Sequence, residues 1–374
     1  MKRIGNLWDQ VTSWENLMQA AHAAARGKRT RPDVARFLHE LEGNLCLLQR
    51  ELEEGTYRPG AYRTFWIRDP KPRLISAASF RDRVVHHALT RVLEPVFEPR
   101  FTDYSFASRK GFGQHRALKL ARDACQRYRY VLKCDIRKYF PSIDHAILKD
   151  LIARVVKCRR TLALVGQIID ASNEQEEAIG YFPGDSLFTP WERRRGLPIG
   201  NQTSQFFANV YLNPLDQFAM RELRPGLYLR YVDDFVLFGD DKRELNSMAE
   251  RIRDFLEGLR LSPHERKFRV YSCEEGVTLL GWRILPGQMR LARPNVIRMR
   301  RRLKKMAALY HAGRLRFERV QCRVQAWLGH AAFGDTWRLR QNLFAQFILR
   351  AAEHGRNARG FVERQSTERP RLEP

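Results

Sequence analysis

Apolar positions at three- and four-residue spacing open the chain. Leu17, Met18, Ala21 and Ala24 share one face of a predicted helix, behind Thr12-Ser13-Trp14-Glu15 with its capping-box spacing. Gly27 to Pro32 breaks the pattern, and Asp33 is placed to cap a second helix carrying Phe37, Leu38, Leu41, Leu45 and Leu48, ending before Gly55. Over residues 62–75 the period changes to that of strands around the turn sequence Asp69-Pro70-Lys71-Pro72, and a helix is expected over about 83–93. Residues 128–135 form a buried strand pattern that ends in Asp135, and residues 141–144 turn the chain into a helix rich in Leu, Ile and Val. The Pro- and Arg-rich stretch 180–195 predicts an exposed loop, and 204–213 a helix limited by Pro214. Residues 227–232 and 235–238 are apolar, β-prone runs on either side of Asp233-Asp234, a hairpin pattern.

Charge adds a second layer. The 374 residues hold 67 Lys+Arg against 42 Asp+Glu, a net +25, which points to a polyanionic partner, most simply nucleic acid. Residues 283–356 carry seventeen Lys/Arg and three acids (Glu318, Asp335, Glu353) at helical spacing, and the stretch from about 357 predicts a disordered tail. Hydrophobic residues at 44% and aromatics at 11% are globular values and argue against a mainly disordered chain. No apolar run approaches a membrane span, and Met1-Lys2-Arg3 does not lead into a signal-peptide core, so no membrane partner is expected. Six cysteines without a C-x-x-C pair disfavour zinc modules and disulfide scaffolds and suit a reducing cytoplasm.

The chemistry centres on carboxylates. Two adjacent aspartates are a poor choice for a tight hairpin, which prefers Asn-Gly or Asp-Gly, because like charges repel at close range. Divalent metal would remove that repulsion. Asp135 ends another strand where a carboxylate has no packing role. A two-metal phosphoryl-transfer site needs hard oxygen ligands from separate elements. On spacing alone, Asp135 as a cap and Asp233-Asp234 as an ordinary polar turn remain open.

Tyr231-Val232-Asp233-Asp234 resembles the Y-x-D-D motif of reverse transcriptases, and the rest of that family's pattern follows in order. Asp135-Ile-Arg-Lys-Tyr-Phe140 resembles the first palm motif, and Gly196-Leu-Pro-Ile-Gly-Asn-Gln-Thr-Ser-Gln205 the second. Lys267 falls where a later motif has its lysine, Leu280-Gly281-Trp282 resembles the primer grip, and Lys71-Pro-Arg73 the segment that holds a triphosphate. Ile199 stands where most of the family has Gln, and Ser204-Gln205 where most have Ser-Pro. Ile-Gly-Asn-x-x-Ser-Gln is similar to the reverse transcriptases of diversity-generating retroelements, as are residues 79–89, 105–113 and 326–331. The chain's extent also falls short of what a group II intron protein with maturase and endonuclease domains is expected to have.

The resemblance implies an α/β (α+β) fold, a right-hand polymerase with fingers, a palm sheet and a helical thumb. Its expected parts are an N-terminal helical segment (1–60), fingers (61–130), a palm with the aspartates, part of the fingers (about 145–195) and the primer grip (131–282), a basic helical thumb (283–356) and the tail (357–374). It implies RNA-directed, error-prone cDNA synthesis on a template RNA, with the RNA–cDNA duplex, dNTPs and a small accessory protein as partners. Asp135, Asp233 and Asp234 would be catalytic and, with Ile136, would bind two Mg²⁺ ions, Mn²⁺ being a possible substitute. Lys71, Arg73, Phe140, Ile199, Gly200, Gln205 and Lys267 would surround the nucleotide, Phe140 as a gate against a ribose 2′ hydroxyl and Lys267 as a proton donor to pyrophosphate. Arg300, Arg301, Arg302, Lys304 and Lys305 would track the duplex backbone. Two rivals remain: an antiphage-defence reverse transcriptase acting on a noncoding RNA, and a non-catalytic RNA-binding protein on the same fold, which the retained aspartates disfavour.

Overall fold

The computed structural model describes residues 3–68, 71–173, 180–347 and 349, so Asp69, Pro70 and the expected tail at 357–374 lie outside the described residues. The chain falls into two compact units, Met1–Val277 and Thr278–Pro374.

The first unit begins with α1 (Trp8–Thr12), α2 (Trp14–Ala25), α3 (Pro32–His39) and α4 (Leu41–Glu54). Ser13 rather than Thr12 caps α2, its Oγ accepting from Asn16 N at 3.3 Å, while Thr12 Oγ1 donates back to Trp8 O at 3.2 Å. The second expected helix is two. Pro32 takes the first position of α3, so Asp33 sits in its first turn instead of at its cap, and Glu40 breaks the run at φ −113°. The break lets α3 bury Val34 and α4 bury Leu45, Leu48 and Leu52. A hairpin of β1 (Arg63–Ile67) and β2 (Arg73–Ala77) follows, in register from Arg63 opposite Ala77 to Ile67 opposite Arg73. Next comes α5 (Phe80–Phe97), capped by Ser79 and longer than its apolar pattern suggested. α2 and α5 bury their alanine and leucine faces in the main core.

After α6 (Gln114–Arg127), β3 (Tyr130–Asp135) runs into the short α7 (Tyr139–Ser142), then α8 (His145–Ala153), α9 (Arg159–Asp170) and the single turn α10 (Thr189–Glu192). α11 (Gln202–Phe218) passes through Pro214, against the expectation that proline would end it. The missing N–H and the ring clash cost about 3 kcal/mol, but Leu215 and Asp216 beyond it are fully buried. β4 (Leu227–Tyr231), β5 (Asp234–Gly239), α12 (Lys242–Gly258) and β6 (Arg269–Ser272) complete the unit. The sheet order is β4-β5-β3-β6, antiparallel at each neighbouring pair. Its inner positions, including Leu132, Cys134, Phe235 and Leu237, join the core.

A sheet ordered β7 (Val277–Leu279), β8 (Trp282–Leu285) and β9 (Gln288–Leu291) leads the second unit, so strands occupy the start of the segment expected to be helical. The helices α13 (Arg293–His311), α14 (Phe317–Ala331) and α15 (Trp337–Ala345) follow. Trp282 is fully buried, with the rings of His330 and Phe333 at 5.2 and 6.0 Å. Gly334 is required there, since a Cβ would fall 2.5 Å from the Trp282 ring. Among the described residues no helix is long and apolar enough to cross a membrane.

Candidate active site

Antiparallel pairing of β3 with β5 sets Asp135 directly opposite Asp234. On the other side of β5, Tyr231 pairs with Asp234. The turning residues of the hairpin are therefore Val232 and Asp233, and Asp234 is the first residue of β5 rather than part of the turn. Val232 adopts φ +60°, a region that β-branched residues avoid at a cost of roughly 1–3 kcal/mol. The strain projects Asp233 beside the two paired aspartates.

Burial pushes the Asp233 carboxyl up to about 6, and the charges of Asp135 and Asp234 add to it. Burial also raises Asp234, with Lys133 opposing and Asp135 assisting. Asp234 Oδ1 is buried without a hydrogen bond, with Lys133 Nζ 3.7 Å away. Beyond Asp135 the strand continues: His264 N donates to Asp135 O at 2.7 Å and Arg137 N to Ser262 O at 2.9 Å, bridging Ile136 to Pro263. That bridge starts the tight turn Glu265–Lys267, and Lys267 Nζ donates to Asp135 Oδ2 at 2.6 Å. Among the described residues no three His, Cys, Asp or Glu side chains stand gathered around a metal position. The donor set still fits a divalent cation: three hard carboxylates from two paired strands and their turn, of which Asp233 and Asp234 are raised mainly by burial, a cost that a bound cation would offset.

Behind the turn lies a buried network that the sequence reading missed. Arg230, fully buried on β4, forms a two-pronged pair with Asp216 of α11, Nε to Oδ1 and Nη2 to Oδ2 both at 2.6 Å. Tyr228 Oη donates to Asp216 Oδ1 at 2.7 Å. The remaining guanidinium nitrogen, Nη1, donates to Val232 O at 3.0 Å and to Asn209 Oδ1 at 3.3 Å. The strained residue of the hairpin turn is thus held by a buried cation. The available signal was a lone arginine inside the apolar run Leu-Tyr-Leu-Arg-Tyr-Val.

Residues 199–201 dock on β2. Ser76 N donates to Ile199 O at 3.0 Å, Asn201 Nδ2 to Ser76 O at 2.9 Å, and Ala78 N to Asn201 Oδ1 at 3.1 Å. Gly200 sits at φ +118°, where a Cβ would meet Ile75 Cγ2 at 3.1 Å. Ile199 is half-buried and Gly200 exposed. Asn201 thereby joins the candidate residues as the clamp between loop and hairpin. Phe140 is half-buried against Tyr139, and its carbonyl accepts from Leu197 N at 2.9 Å. Lys71 and Arg73 are exposed, and Arg73 is near enough to Asp233 to favour its ionised form. Gln205 is exposed and accepts from Ser108 Oγ at 3.3 Å.

Leu280, Gly281 and Trp282 belong to the second unit. Leu280 and Gly281 form a positive-φ turn, and Trp282 beside them is fully buried in that unit's core. Arg300, Arg301, Arg302, Lys304 and Lys305 are all exposed on α13, whose Met299, Leu303 and Met306 are buried.

Residues 68–284 match the family "Reverse transcriptase (RNA-dependent DNA polymerase)". The chain is 27% identical to Protein YkfC of Escherichia coli (strain K12), over 79% of this chain and 87% of that protein. It is 29% identical to the group II intron-encoded protein LtrA of Lactococcus lactis subsp. cremoris, over 46% of this chain and 27% of LtrA. To the mitochondrial nuclear intron maturase 1 of Arabidopsis thaliana it is 31% identical, over 26% of this chain and 14% of the maturase. It spans most of the first relative and only a minor part of the other two.

Proposed function

The chain belongs to the reverse transcriptase family and is an RNA-directed DNA polymerase, and from that premise we propose that it makes error-prone cDNA from the template RNA of a diversity-generating retroelement. The observation that carries the catalytic assignment is the register that sets Asp135 opposite Asp234, with Asp233 in the adjoining turn. Two Mg²⁺ ions bound there by the three carboxylates and Ile136, with Mn²⁺ as a substitute, would activate the primer 3′ hydroxyl and stabilise the leaving pyrophosphate.

The chain's own residues do the rest. Arg73 and Lys71 neutralise the β- and γ-phosphates, the first as a planar fork and the second as a point charge. Lys267, held at Asp135, is placed to give a proton to the leaving group. Phe140 crowds a ribose 2′ hydroxyl. Ile199 and Gly200 line the nascent pair, with Gln205 behind them. Leu280, Gly281 and Trp282 supply the primer grip, and the basic face of α13 follows the duplex.

The finer reading rests on Ile199, an apolar side chain on the loop clamped to β2. An apolar group leaves the nascent pair without a polar check, and rejection by unpaired polar groups is the strong kind. The test is cDNA sequencing after extension by the parent chain and by Ile199→Gln on one RNA template. The variant should lower misincorporation opposite template adenine by about five- to 150-fold, the worth of one polar contact. Equal adenine error rates would make Ile199 simple packing. The names of LtrA and the maturase favour a second reading, a reverse transcriptase serving an intron RNA. Sequencing the RNA that copurifies with the chain separates the two. A template-repeat RNA supports the first reading and an intron RNA the second.

A further inference from the structure

The loop between α9 and α11 is built inside out. Polar groups tie its described part, residues 180–195, together. Asp185 Oδ2 accepts from Phe182 N at 2.8 Å, and Asp185 Oδ1 pairs with Arg193. The Ser186 and Thr189 hydroxyls share a 2.8 Å hydrogen bond, and Tyr181 Oη donates to Leu187 O at 3.2 Å. Arg193, with its side chain only 6% exposed, also approaches Asp144 Oδ2 at 3.5 Å, anchoring the loop to the cap of α8.

The apolar side chains stand outside this scaffold. Tyr181 is 56% exposed, Leu187 70%, Phe188 66% and Trp191 63%. Single exposed apolar residues are ordinary, but four in one polar-tied loop mark a contact surface. Beside them lies a groove of about 420 Å³ lined by Lys149, Asp170, Thr189, Glu192, Arg194 and Arg260, among others. Asp170 accepts from Lys149 Nζ at 2.6 Å and faces Arg194 Nη1 at 3.6 Å, while Arg260 Nη1 donates to Asp144 Oδ2 at 2.7 Å. The Arg194 side chain is nevertheless 65% exposed. Thr189, Glu192 and Arg194 belong to both loop and groove, so rings and cations form one continuous surface.

We propose that this surface holds an unpaired segment of template RNA, with Tyr181, Phe188 and Trp191 stacking bases and Arg194, Lys149 and Arg260 facing phosphates. Three of the four exposed side chains are flat rings, and rings interleaved with cations suit a single strand, whose every base has a face to stack. The chain's charge of +25 matches a polyanion, and copying RNA requires that unpaired template be held. The inference rests only on RNA being the template, so it survives if the retroelement reading fails and falls independently of it.

Anisotropy with the full chain, using a labelled oligouridine strand and a blunt RNA–DNA duplex at one salt concentration, tests it. Phe188→Ala with Trp191→Ala should weaken single-strand binding about ten-fold or more and change duplex binding by less than about two-fold. Phe188→Tyr with Trp191→Phe should restore single-strand binding, whereas Phe188→Leu with Trp191→Leu should not, because leucine keeps the apolar surface and removes the stacking face. Light-driven crosslinking of a 5-bromouridine strand should map to Tyr181, Phe188 or Trp191. Unchanged single-strand affinity in the alanine pair, equal loss on both ligands, parental affinity in the leucine pair (the behaviour of a protein-docking patch), or crosslinks confined to other residues would each overturn it.

Discussion

Removing Asp216 tests what holds the turn that carries Asp233. In Asp216→Ala the Arg230 guanidinium stays fully buried but loses both carboxylate bonds, and Tyr228 loses its acceptor. Breaking a buried ion pair from one side costs about 3–5 kcal/mol, because the remaining charge is uncompensated. For a unit of this size each kcal/mol moves Tm by about 2–4 °C, so melting should fall by about 6–20 °C. Asp216→Leu with Arg230→Met removes both charges and should recover most of that loss. It does not recover the hydrogen bond from Arg230 Nη1 to Val232 O. A bond from a charged donor contributes roughly 1.5–3 kcal/mol, close to the roughly 1–3 kcal/mol stored in the positive φ of Val232. The double variant should therefore melt near the parent and yet extend primers poorly, with a raised Mg²⁺ requirement, since Asp233 is no longer held beside Asp135. Calorimetry with a Mg²⁺ titration of extension measures both. An Asp216→Ala protein melting within about 2 °C of the parent, or a double variant with parental Mg²⁺ dependence, would refute the reasoning.

Other consequences are direct. Asp135→Asn or Asp233→Asn should abolish cDNA synthesis in Mg²⁺ while leaving RNA affinity within about two-fold, since binding rests on dispersed cations; near-normal extension by either would sink the carboxylate assignment. Neutralising Arg300, Arg301, Arg302, Lys304 and Lys305 together should lower the slope of log affinity against log salt by about 0.7–0.9 for each phosphate left without its cation, and an unchanged slope would reduce this face of α13 to solvation. His86 is fully buried, with Nδ1 lacking a hydrogen-bond partner, and burial lowers it to about 4 from 6.5. The unfolded chain then takes up this proton first, so stability falls as pH drops through 6.5 toward 4, by about 3 kcal/mol in full. His86→Gln should flatten that limb in denaturant melts at stepped pH, and an unchanged acid limb would locate the loss elsewhere.

What could be read from the sequence was local. The period change near residue 62, the strand ending in Asp135 and the paired runs around Val232 and Asp233 are contiguous patterns, and each appears as an element. The two-residue turn was misplaced by one position because Val232 extends the apolar, β-prone run 227–232, whereas the pairing of Tyr231 with Asp234 puts Val232 in the turn. Trp282 was assigned from its motif neighbours, and only the second unit's packing shows its ring to be core. Pro214 looked like a stop because proline's local cost is legible and the burial of Leu215 and Asp216 beyond it is not. The bonds between Lys267 and Asp135 and between Asn201 and Ser76 join residues 132 and 125 positions apart, so no window of sequence carries them. The pair of Arg230 with Asp216, only fourteen apart, joins a strand to a helix and follows neither element's period.

Those long-range bonds explain how so unfavourable a site persists. Three carboxylates share one corner of the sheet, Asp233 and Asp234 bind protons more tightly than free aspartate, and Val232 is strained. None of this stabilises the fold. Lys267 on Asp135 and Lys133 near Asp234 offset part of the repulsion at the carboxylates themselves. Arg230 acts from the closed side, where no solvent ion competes, and its own charge is balanced within the core by Asp216. The two kinds of compensation differ in reach: the lysines touch the carboxylates themselves, whereas Arg230 holds only the backbone of the turn, through Val232 O, and leaves the carboxylates free of a permanent partner on that side.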